Sequence, residues 1–375
     1  MTLRTLLEDG TLALALLPAS NDHILTVSGR ARAQAIVASS QVEAYHASSA
    51  KERLALLDLD SLDTLVGYTV PLIAHDYGAK TPLMWNALYE KLGLRVRNIM
   101  VVGDPKDAGR ILRDLAADPK YLGGGAGVGF KEAVLAHLTP EPSDLQSVNI
   151  ILNRAGVLYG ANTDALGLAR SLDDALATVS KGIPGAHVVL YGAGGVAKEF
   201  ARILGREGAA SLAIVNRTAS KAVALAHELT REFPRMESYA VPERLSRGVL
   251  LNSDVHPDAI VNTTDKGSDG PLKRFAFYVA ARDSNEGESR TLLRYLRELS
   301  PEVVIVDIVL PKGGPSISLR LARAEGLSHL VDGVPMVVNQ AAPAYRLIQE
   351  LHPDKHAVHV SEEDALAAFR DVTRG

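Results

Sequence analysis

The feature that most constrains this fold is a regular alternation of apolar and amphipathic segments between about residues 165 and 310. Short apolar runs such as HVVLYG, SLAIVN and EVVIVDIVL are separated by longer segments with helical periodicity, such as VAKEFARILGREG and SKAVALAHELTREF. Because strands that are buried on both faces read as continuous apolar runs, the pattern predicts a parallel sheet covered by helices on both sides. This part of the chain should therefore form a doubly wound α/β domain.

A looser alternation begins near residue 64. TLVGYTVPL and VRNIMVVG read as strands, PLMWNALYEKLGL and PKDAGRILRDLAA as helices, and SVNIILNRAGVLYGANTD as a hairpin. Residues 1–60 are weakly patterned, and we expect an N-terminal appendage that is helical or partly disordered. The sequence thus predicts an α/β protein of two domains: one of residues 61–165, completed by the C-terminal helices of 336–375, and a Rossmann-type domain of residues 166–335.

Composition narrows the class of protein. A length of 375 residues, with 47% hydrophobic and 22% charged residues, suits a globular chain of two domains. The absence of cysteine excludes disulfides, thiolate metal sites and a cysteine nucleophile. A net charge of −4 without a long basic run argues against nucleic-acid binding. No apolar run reaches the roughly 18–20 residues of a spanning helix, so we expect a cytoplasmic monomer or homodimer that acts on a small molecule.

A glycine motif between a predicted strand and a predicted helix indicates a dinucleotide site. The segment YGAGGVAKEF has its glycines where the chain must turn tightly and approach a pyrophosphate, which the free N–H groups of a helix start can bind. The alternative is a glycine turn that serves only packing. The candidate cofactor residues of this loop are Gly192, Ala193, Gly194, Gly195 and Val196.

The end of the next predicted strand indicates which dinucleotide is bound. An NAD site usually has an acidic residue here, which binds the ribose 2′-hydroxyl. This chain instead has Asn216, Arg217 and Thr218, followed by Lys221. Arginine and lysine suit a 2′-phosphate, and the threonine can donate a hydrogen bond. We therefore predict NADP(H) as the cofactor, the alternative being a solvated arginine at the end of a strand.

A second glycine-rich stretch, KYLGGGAGVGFKEAV (120–134), does not fit a phosphate loop. A P-loop needs Gly-Lys-Ser/Thr directly after the glycines, but here Phe130 precedes Lys131 and Glu132 follows it. No convincing strand leads into the glycines, so we interpret the stretch as a loop that presents Lys131.

Taken together, these motifs resemble the shikimate and quinate dehydrogenases over about residues 65–350. The segment GAGVGFKEA resembles the family segment that carries a catalytic lysine, and SVNIILNRAGVLYGANTDALGL resembles its hairpin followed by Asn-Thr-Asp. The glycine loop followed by Asn-Arg-Thr and the later DGVPMVVNQ also occur in the family's order. The resemblance implies substrate contacts at Thr81, Asn149 and Gln340, and further cofactor contacts at Thr264, Gly333 and Met336.

The resemblance also implies a reaction. Hydride transfer to a ring ketone leaves negative charge on its oxygen, so a proton donor must lie beside it. Lys131 would be that donor, and the base in the reverse direction. Asp164 would hold the ammonium group and tune its pKa; its alternative role is to cap the following helix. The resemblance also implies that the first domain is the catalytic, substrate-binding domain and the Rossmann-type domain the NADP-binding one. The active site would lie in the cleft between these two domains.

The parts of the family pattern that hold the substrate are altered. The family binds a substrate carboxylate through two hydroxyl side chains. AHDYGAKTP has Thr81 and Ala79 at these positions in one alignment, and Asp76 and Gly78 in another. Gly125 and Gly127 replace an asparagine and a threonine. Gly129 replaces a proline, which should loosen the loop, and Leu310 replaces a tyrosine. These changes favour a substrate other than shikimate.

Three alternatives remain. The chain could be a true shikimate or quinate dehydrogenase with an unusual pocket, an imine- or amine-directed reductase if Asp76 faces the pocket, or a non-catalytic ligand sensor. The histidines of HPDKHAVH lack a carboxylate partner pattern, so no metal site is predicted.

Overall fold

A computed structural model provides the structure of this protein. It describes residues 13–16, 22–26, 53–57, 68–75, 81–127, 129–139, 145, 147–243, 256–268, 271–278, 294–311, 314–355 and 360–374. The chain divides into two compact units: unit 1 combines Met1–Thr163 with Ala341–Gly375, and unit 2 is Asp164–Gln340.

The strands and helices alternate along most of the described chain. The strands are β1 (Ala13–Leu16), β2 (Asp22–Thr26), β3 (Arg53–Leu57), β4 (Tyr68–Ala74), β5 (Val96–Val102), β6 (Gly123–Ala126), β7 (Ile150–Arg154), β8 (Val157–Ala161), β9 (His187–Tyr191), β10 (Ser211–Asn216), β11 (Glu237–Pro242), β12 (Ala259–Asn262), β13 (Val304–Asp307) and β14 (Leu330–Val331). The helices are α1 (Thr81–Lys91), α2 (Ala108–Ala116), α3 (Phe130–Ala133), α4 (Asp164–Ala177), α5 (Gly195–Arg206), α6 (Ala219–Glu232), α7 (Ile317–Ala324), α8 (Gly333–Leu351) and α9 (Glu362–Arg374).

Unit 1 is built on one mixed sheet of eight strands in the order β3-β2-β1-β5-β4-β6-β7-β8. β4 lies parallel to both β5 and β6, and β7 and β8 form the predicted hairpin. Its two turn residues, Ala155 and Gly156, both have positive φ, which matches the twist of a two-residue hairpin. The described strand bounds therefore agree with the strands predicted from residue 64 onward.

The N-terminal segment differs from its prediction. Where we expected helix or disorder in residues 1–60, the described parts are the strands β1, β2 and β3, and β1 pairs antiparallel with β5. The helical expectation is wrong at these residues because short apolar runs such as ALAL and RLALL fit helix and strand equally well. Pairing with the sheet then decides their conformation.

A group of aromatic side chains packs together within unit 1. Trp85 and Tyr89 of α1 are fully buried and lie edge-on or tilted against Tyr345 of α8, and Tyr345 also contacts Phe369 of α9. Such contacts stabilise beyond the area they bury. Trp85 and Tyr89 therefore serve packing. α9 starts with a capping box, in which Ser361 Oγ accepts a hydrogen bond from Asp364 N at 3.0 Å.

Unit 2 is a six-stranded parallel sheet in the order β11-β10-β9-β12-β13-β14. Alternate residues of its strands face two separate cores: Val188 and Leu190 pack with α4, α5 and α6, whereas Val189 and Tyr191 pack with an aromatic group around Phe277. The continuous apolar runs exist because both faces are covered, so the predicted doubly wound α/β fold is confirmed. Among the described residues, no helix combines the length and apolar character needed to cross a bilayer.

Candidate functional site

The loop after β9 is shaped by Gly192. Its φ of +122° lies in a region that side chains rarely adopt, and a Cβ there would overlap the Oγ1 atom of Thr263. Thr263 is fixed in turn, because its N and its Oγ1 both donate hydrogen bonds to the carbonyl oxygen of Tyr191, each at 2.8 Å. The loop therefore turns as predicted for a dinucleotide site, and glycine is required at its first position.

The next two glycines lie at the start of α5. Gly194 is the N-cap residue, it is exposed, and no described atom lies within 4 Å of the Cβ that an alanine would add there. Gly195 and Val196 are half-buried in the first helical turn. Ala193, which lies in the loop, is buried. First-turn N–H groups have no partner within their helix, so this opening suits an anion such as a pyrophosphate.

The residues predicted to bind a 2′-phosphate lie at the end of β10 and the start of α6. Asn216 ends the strand, and its Nδ2 donates a hydrogen bond to the carbonyl oxygen of Thr218 at 3.0 Å, which closes the turn. Arg217, Thr218 and Lys221 are exposed. The structure brings these four residues to the edge of the sheet that also carries the glycine loop, because parallel strands end at one edge.

A buried polar network fixes the ends of β12 and β13. Asn262 Oδ1 accepts hydrogen bonds from Thr264 N at 2.9 Å and Thr264 Oγ1 at 2.7 Å, and Asn262 Nδ2 donates to Asp307 Oδ1 at 2.8 Å. Ser316 Oγ donates to the other oxygen of Asp307 at 2.5 Å. Burial raises the pKa of Asp307, and the hydrogen bonds from Ser316 and Asn262 oppose that rise. The hydrogen bonds to Asn262 thus fix the position of Thr264, a predicted cofactor residue.

The predicted residues on α4 and α8 lie together within unit 2. Asp164 is the first residue of α4 and is buried. One turn later, a Cβ on Gly167 would lie 2.7 Å from both the backbone N of Gln340 and the carbonyl oxygen of Met336. Only glycine allows this approach, which places Gln340 and Met336 beside the helix that Asp164 begins. Gln340 is buried, and its Nε2 donates to the carbonyl oxygen of Val337 at 3.0 Å.

The start of α8 is equally close to the chain that follows β13. Gly333 is buried, and a Cβ there would overlap the carbonyl oxygen of Ile308. The same Cβ would lie 2.9 Å from the Cγ atom of Leu310, which is 42% exposed. Leu310, at the position of the family's tyrosine, therefore packs its stem on Gly333 and leaves much of its side chain open.

The second glycine-rich stretch is a strand, not a loop. Gly123, Gly124 and Gly125 lie in β6, which pairs with β4 on one side and β7 on the other and is fully buried. A Cβ on Gly124 would overlap the carbonyl oxygen of Pro71 in β4. The expectation that no strand involves these glycines is wrong, because their lack of side chains hides the usual strand pattern and permits a close backbone approach.

Neighbouring apolar side chains fill the space beside Gly125 and Gly127. A Cβ on Gly125 would lie 2.5 Å from Leu72 Cδ1, and a Cβ on Gly127 would lie 3.1 Å from the Cβ of Ala74. Leu72 and Ala74 are both buried. A side chain at Gly125, where the family has an asparagine, would require Leu72 to move, and one at Gly127, where it has a threonine, would be tightly packed against Ala74.

Lys131 follows this strand in the short helix α3. Phe130 anchors the helix because its ring is fully buried, whereas Lys131 is half-buried. The carbonyl oxygen of Lys131 accepts a hydrogen bond from Val148 N at 2.8 Å. The residue before the helix, Gly129, has a φ of +84°, which proline cannot adopt.

Asn149 is engaged in holding the chain ahead of Asp164. Its Nδ2 donates to Thr163 Oγ1 at 2.9 Å, and its Oδ1 accepts from Thr163 N at 2.9 Å. The side chain is buried, so these bonds shape the segment between β8 and α4. Any contact of Asn149 with a substrate would come in addition to this role.

Some predicted residues cannot be placed. Asp76 and Ala79 lie outside the described residues, as do His356 and His359, and the side chain of Thr81 lies outside what the structure describes at the start of α1. The described part of the chain contains no group of three or more His, Asp or Glu side chains that could hold a metal ion.

The sequence interpretation missed a buried ion pair. Lys266 Nζ bonds to Glu243 Oε1, and the two side chains are only 6% and 14% exposed. Lys266 follows β12 in NTTDKG, and Glu243 follows β11. A lysine in a polar loop gives no sign of burial, so only the fold could reveal the pair.

The fold and the loop geometry define a two-unit α/β chain whose second unit has the architecture of a dinucleotide-binding domain. A family model described as shikimate / quinate 5-dehydrogenase matches residues 175–265. A shikimate dehydrogenase (NADP(+)) of Halothermothrix orenii is 27% identical over 76% of this chain and 92% of its own length. One from Symbiobacterium thermophilum is 30% identical over 73% of this chain and 84% of its own length.

A solved structure of a shikimate dehydrogenase in complex with NADP+ shares the fold, with a TM-score of 0.62 and 21% identity over 81% of this chain and 95% of that one. The chain belongs to the shikimate/quinate dehydrogenase family. The predicted class, an oxidoreductase of the dehydrogenase type, is confirmed, and the relatives' names agree with the predicted NADP(H) cofactor.

Proposed function

We propose that this protein is an NADP(H)-dependent oxidoreductase that interconverts a ring ketone and a secondary alcohol, with a preferred substrate other than shikimate. The glycine loop and the first turn of α5 would bind the pyrophosphate, and Arg217, Thr218 and Lys221 the 2′-phosphate. Bound NADPH would supply the hydride.

The proton-transfer pair is Lys131 with Asp164. Lys131 donates a proton to the ketone oxygen as negative charge develops there, and accepts one in the reverse direction. The carboxylate of Asp164 would hold the ammonium group of Lys131 in position for this transfer. Asp164 suits this role because it is fixed at the start of a helix whose preceding residue, Thr163, is held by Asn149.

One observation carries the choice of substrate. Gly125 and Gly127, which precede Lys131 in the chain, lie against the buried side chains of Leu72 and Ala74, with Leu72 Cδ1 2.5 Å from the position of a Gly125 Cβ. A hydrogen bond lost from a substrate site costs about 0.5–1.5 kcal/mol. A substrate with fewer polar groups than shikimate would lose less at these two positions.

Shikimate dehydrogenase itself is the second candidate. The names of the relatives at 27% and 30% identity favour it. In that case Thr81, Gln340 and residues near Tyr77 would have to replace the missing donors.

The test is NADPH oxidation against a panel of dehydroshikimate, dehydroquinate, other cyclic ketones and cyclic imines, with Lys131→Ala run in parallel. The proposal predicts turnover of a ketone other than dehydroshikimate that depends on Lys131. Efficient turnover of dehydroshikimate would favour the second candidate. NADPH binding without turnover of any compound would overturn the enzymatic proposal and favour a sensor, and turnover confined to imines would favour an amine-directed enzyme.

A further inference from the structure

The ion pair of Lys266 and Glu243 lies on the same edge of the unit 2 sheet as the cofactor loop. β12, which precedes Lys266, and β11, which precedes Glu243, are separated in the sheet by β9 and β10. Neighbouring strands are about 4.8 Å apart, so the two side chains meet across a span of roughly 14 Å. The pair therefore joins the segments that follow β11 and β12, and in the sheet these strands flank β9 and β10, which carry the glycine loop and Asn216-Arg217-Thr218.

Glu243 is the strand neighbour of Arg217. β10 and β11 run parallel with Asn216 opposite Pro242, and Arg217 and Glu243 are the residues that directly follow this pair. The Glu243 carboxylate is thus carried on the segment next to Arg217, a residue of the predicted 2′-phosphate site. By itself it would repel a phosphate and favour a ribose with a free 2′-hydroxyl, as acidic residues in this region do in NAD sites.

We propose that Lys266 determines the preference for NADP(H) over NAD(H) by neutralising Glu243. This inference rests on the proposed function, which supplies the dinucleotide. The pair is almost fully buried, so salt screens its charges little. With the pair intact, Arg217, Thr218 and Lys221 act on the 2′-phosphate without an opposing carboxylate. Lys266 is thus a specificity-determining residue that acts through Glu243.

The experiment measures dissociation constants for NADPH and NADH by titration of the full chain, and their ratio is the readout. Lys266→Met removes the cation that bonds to Glu243, so NADPH should lose about 3- to 20-fold in affinity relative to NADH, as expected for unit charges some 10 Å apart. Glu243→Gln should shift the ratio in the opposite direction, since Lys266 then attracts the phosphate. The double variant should return within about twofold of the wild-type ratio if the two charges act on the phosphate only as a pair.

Three controls keep the inference separate from folding and from the proposed function. Lys266→Arg keeps the charge and should keep the ratio. Lys181→Met removes a cation that bonds to Asp258 at 2.7 Å near the amino ends of the strands, and should also leave the ratio unchanged. If Lys266→Met does not fold, Glu243→Gln carries the test alone, because a merely structural pair would not raise selectivity.

Equal losses for NADPH and NADH in Lys266→Met, or an unchanged ratio in Glu243→Gln, would overturn the inference and leave the proposed function standing. A wild-type protein that binds neither dinucleotide would overturn both.

Discussion

Two glycine-rich stretches of this chain use glycine for opposite reasons. In the loop around Gly194, at the start of α5, the missing side chain leaves open space at a helix N-terminus, which suits a ligand. In β6, the missing side chains at Gly124 and Gly125 leave no space, because Pro71 and Leu72 of the neighbouring strand already fill it. The loop at Gly194 thus leaves an opening, whereas the space beside Gly124 and Gly125 is filled by the backbone of Pro71 and the side chain of Leu72.

The largest expected effect tests whether Lys131, which follows β6, takes part in catalysis. Lys131→Ala should lower kcat on the best ketone by about 10²- to 10⁴-fold, since general acid–base catalysis contributes that much. Steady-state kinetics at saturating NADPH measure it, and the affinity for NADPH should stay within twofold.

The matched control for that variant is Lys106→Ala, which removes an exposed lysine ahead of α2. A loss below threefold in Lys131→Ala, similar to this control, would show that Lys131 is not the proton donor.

The strand β6 should not tolerate an added methyl group. Gly124→Ala places a Cβ against the carbonyl oxygen of Pro71, and backbone atoms cannot move aside cheaply. Overpacking of this kind lowers the free energy of unfolding by about 1–3 kcal/mol or more. Urea unfolding measures the change. A stability equal to that of the wild type would contradict the close packing of β4 and β6.

The loop at Gly194 should accept a methyl group without losing stability, but it should then bind NADPH more weakly. Gly194→Ala adds a Cβ where no described atom lies within 4 Å, at a φ of −87° that alanine accepts. Its free energy of unfolding should stay within about 0.5 kcal/mol of the wild type. NADPH affinity should fall about tenfold, or ~1.4 kcal/mol, because the new methyl group occupies the approach of the pyrophosphate.

Titration of NADPH into this variant is the measurement. Unchanged affinity would mean that the opening is not the pyrophosphate site, and the contrast between the two stretches would lose its functional meaning.

The smallest expected effect concerns Asp307, a buried carboxyl group in unit 2. Burial raises the pKa of Asp307, so its contribution to stability is fully present below the pKa of an unfolded aspartate, about 4, and is lost as the pH rises through the folded value. Asp307→Asn cannot ionise. The difference in Tm between the wild type and the variant should therefore shrink as the pH rises across the weakly acidic range. A constant difference would contradict the raised pKa.

How much the sequence reveals differs between the two halves for a physical reason. The doubly wound sheet was predictable because both of its faces are buried, so each strand shows as an apolar run. The loop Gly192–Gly195 was predictable because its glycines fall between such a strand and a helix. β6 was not predictable, since a strand made of glycine has no side-chain alternation to read.

Long-range polar contacts were also beyond the sequence. Lys266 and Glu243 lie 23 positions apart in polar segments, and only the order of the strands brings them together. Asn149 and Thr163 are closer in sequence, and the register of the hairpin of β7 and β8 brings them together. Side-chain identity predicted which residues could do chemistry, but not which of them support the backbone.

The most direct test of the account compares one ring ketone in two forms, dehydroshikimate and its uncharged methyl ester, with NADPH and the wild-type protein. If the loss of a hydroxyl side chain from AHDYGAKTP has weakened the recognition of a carboxylate, kcat/KM for the ester should equal or exceed that for the free acid. A preference for the free acid of tenfold or more would contradict the account, because the site would then still bind a carboxylate.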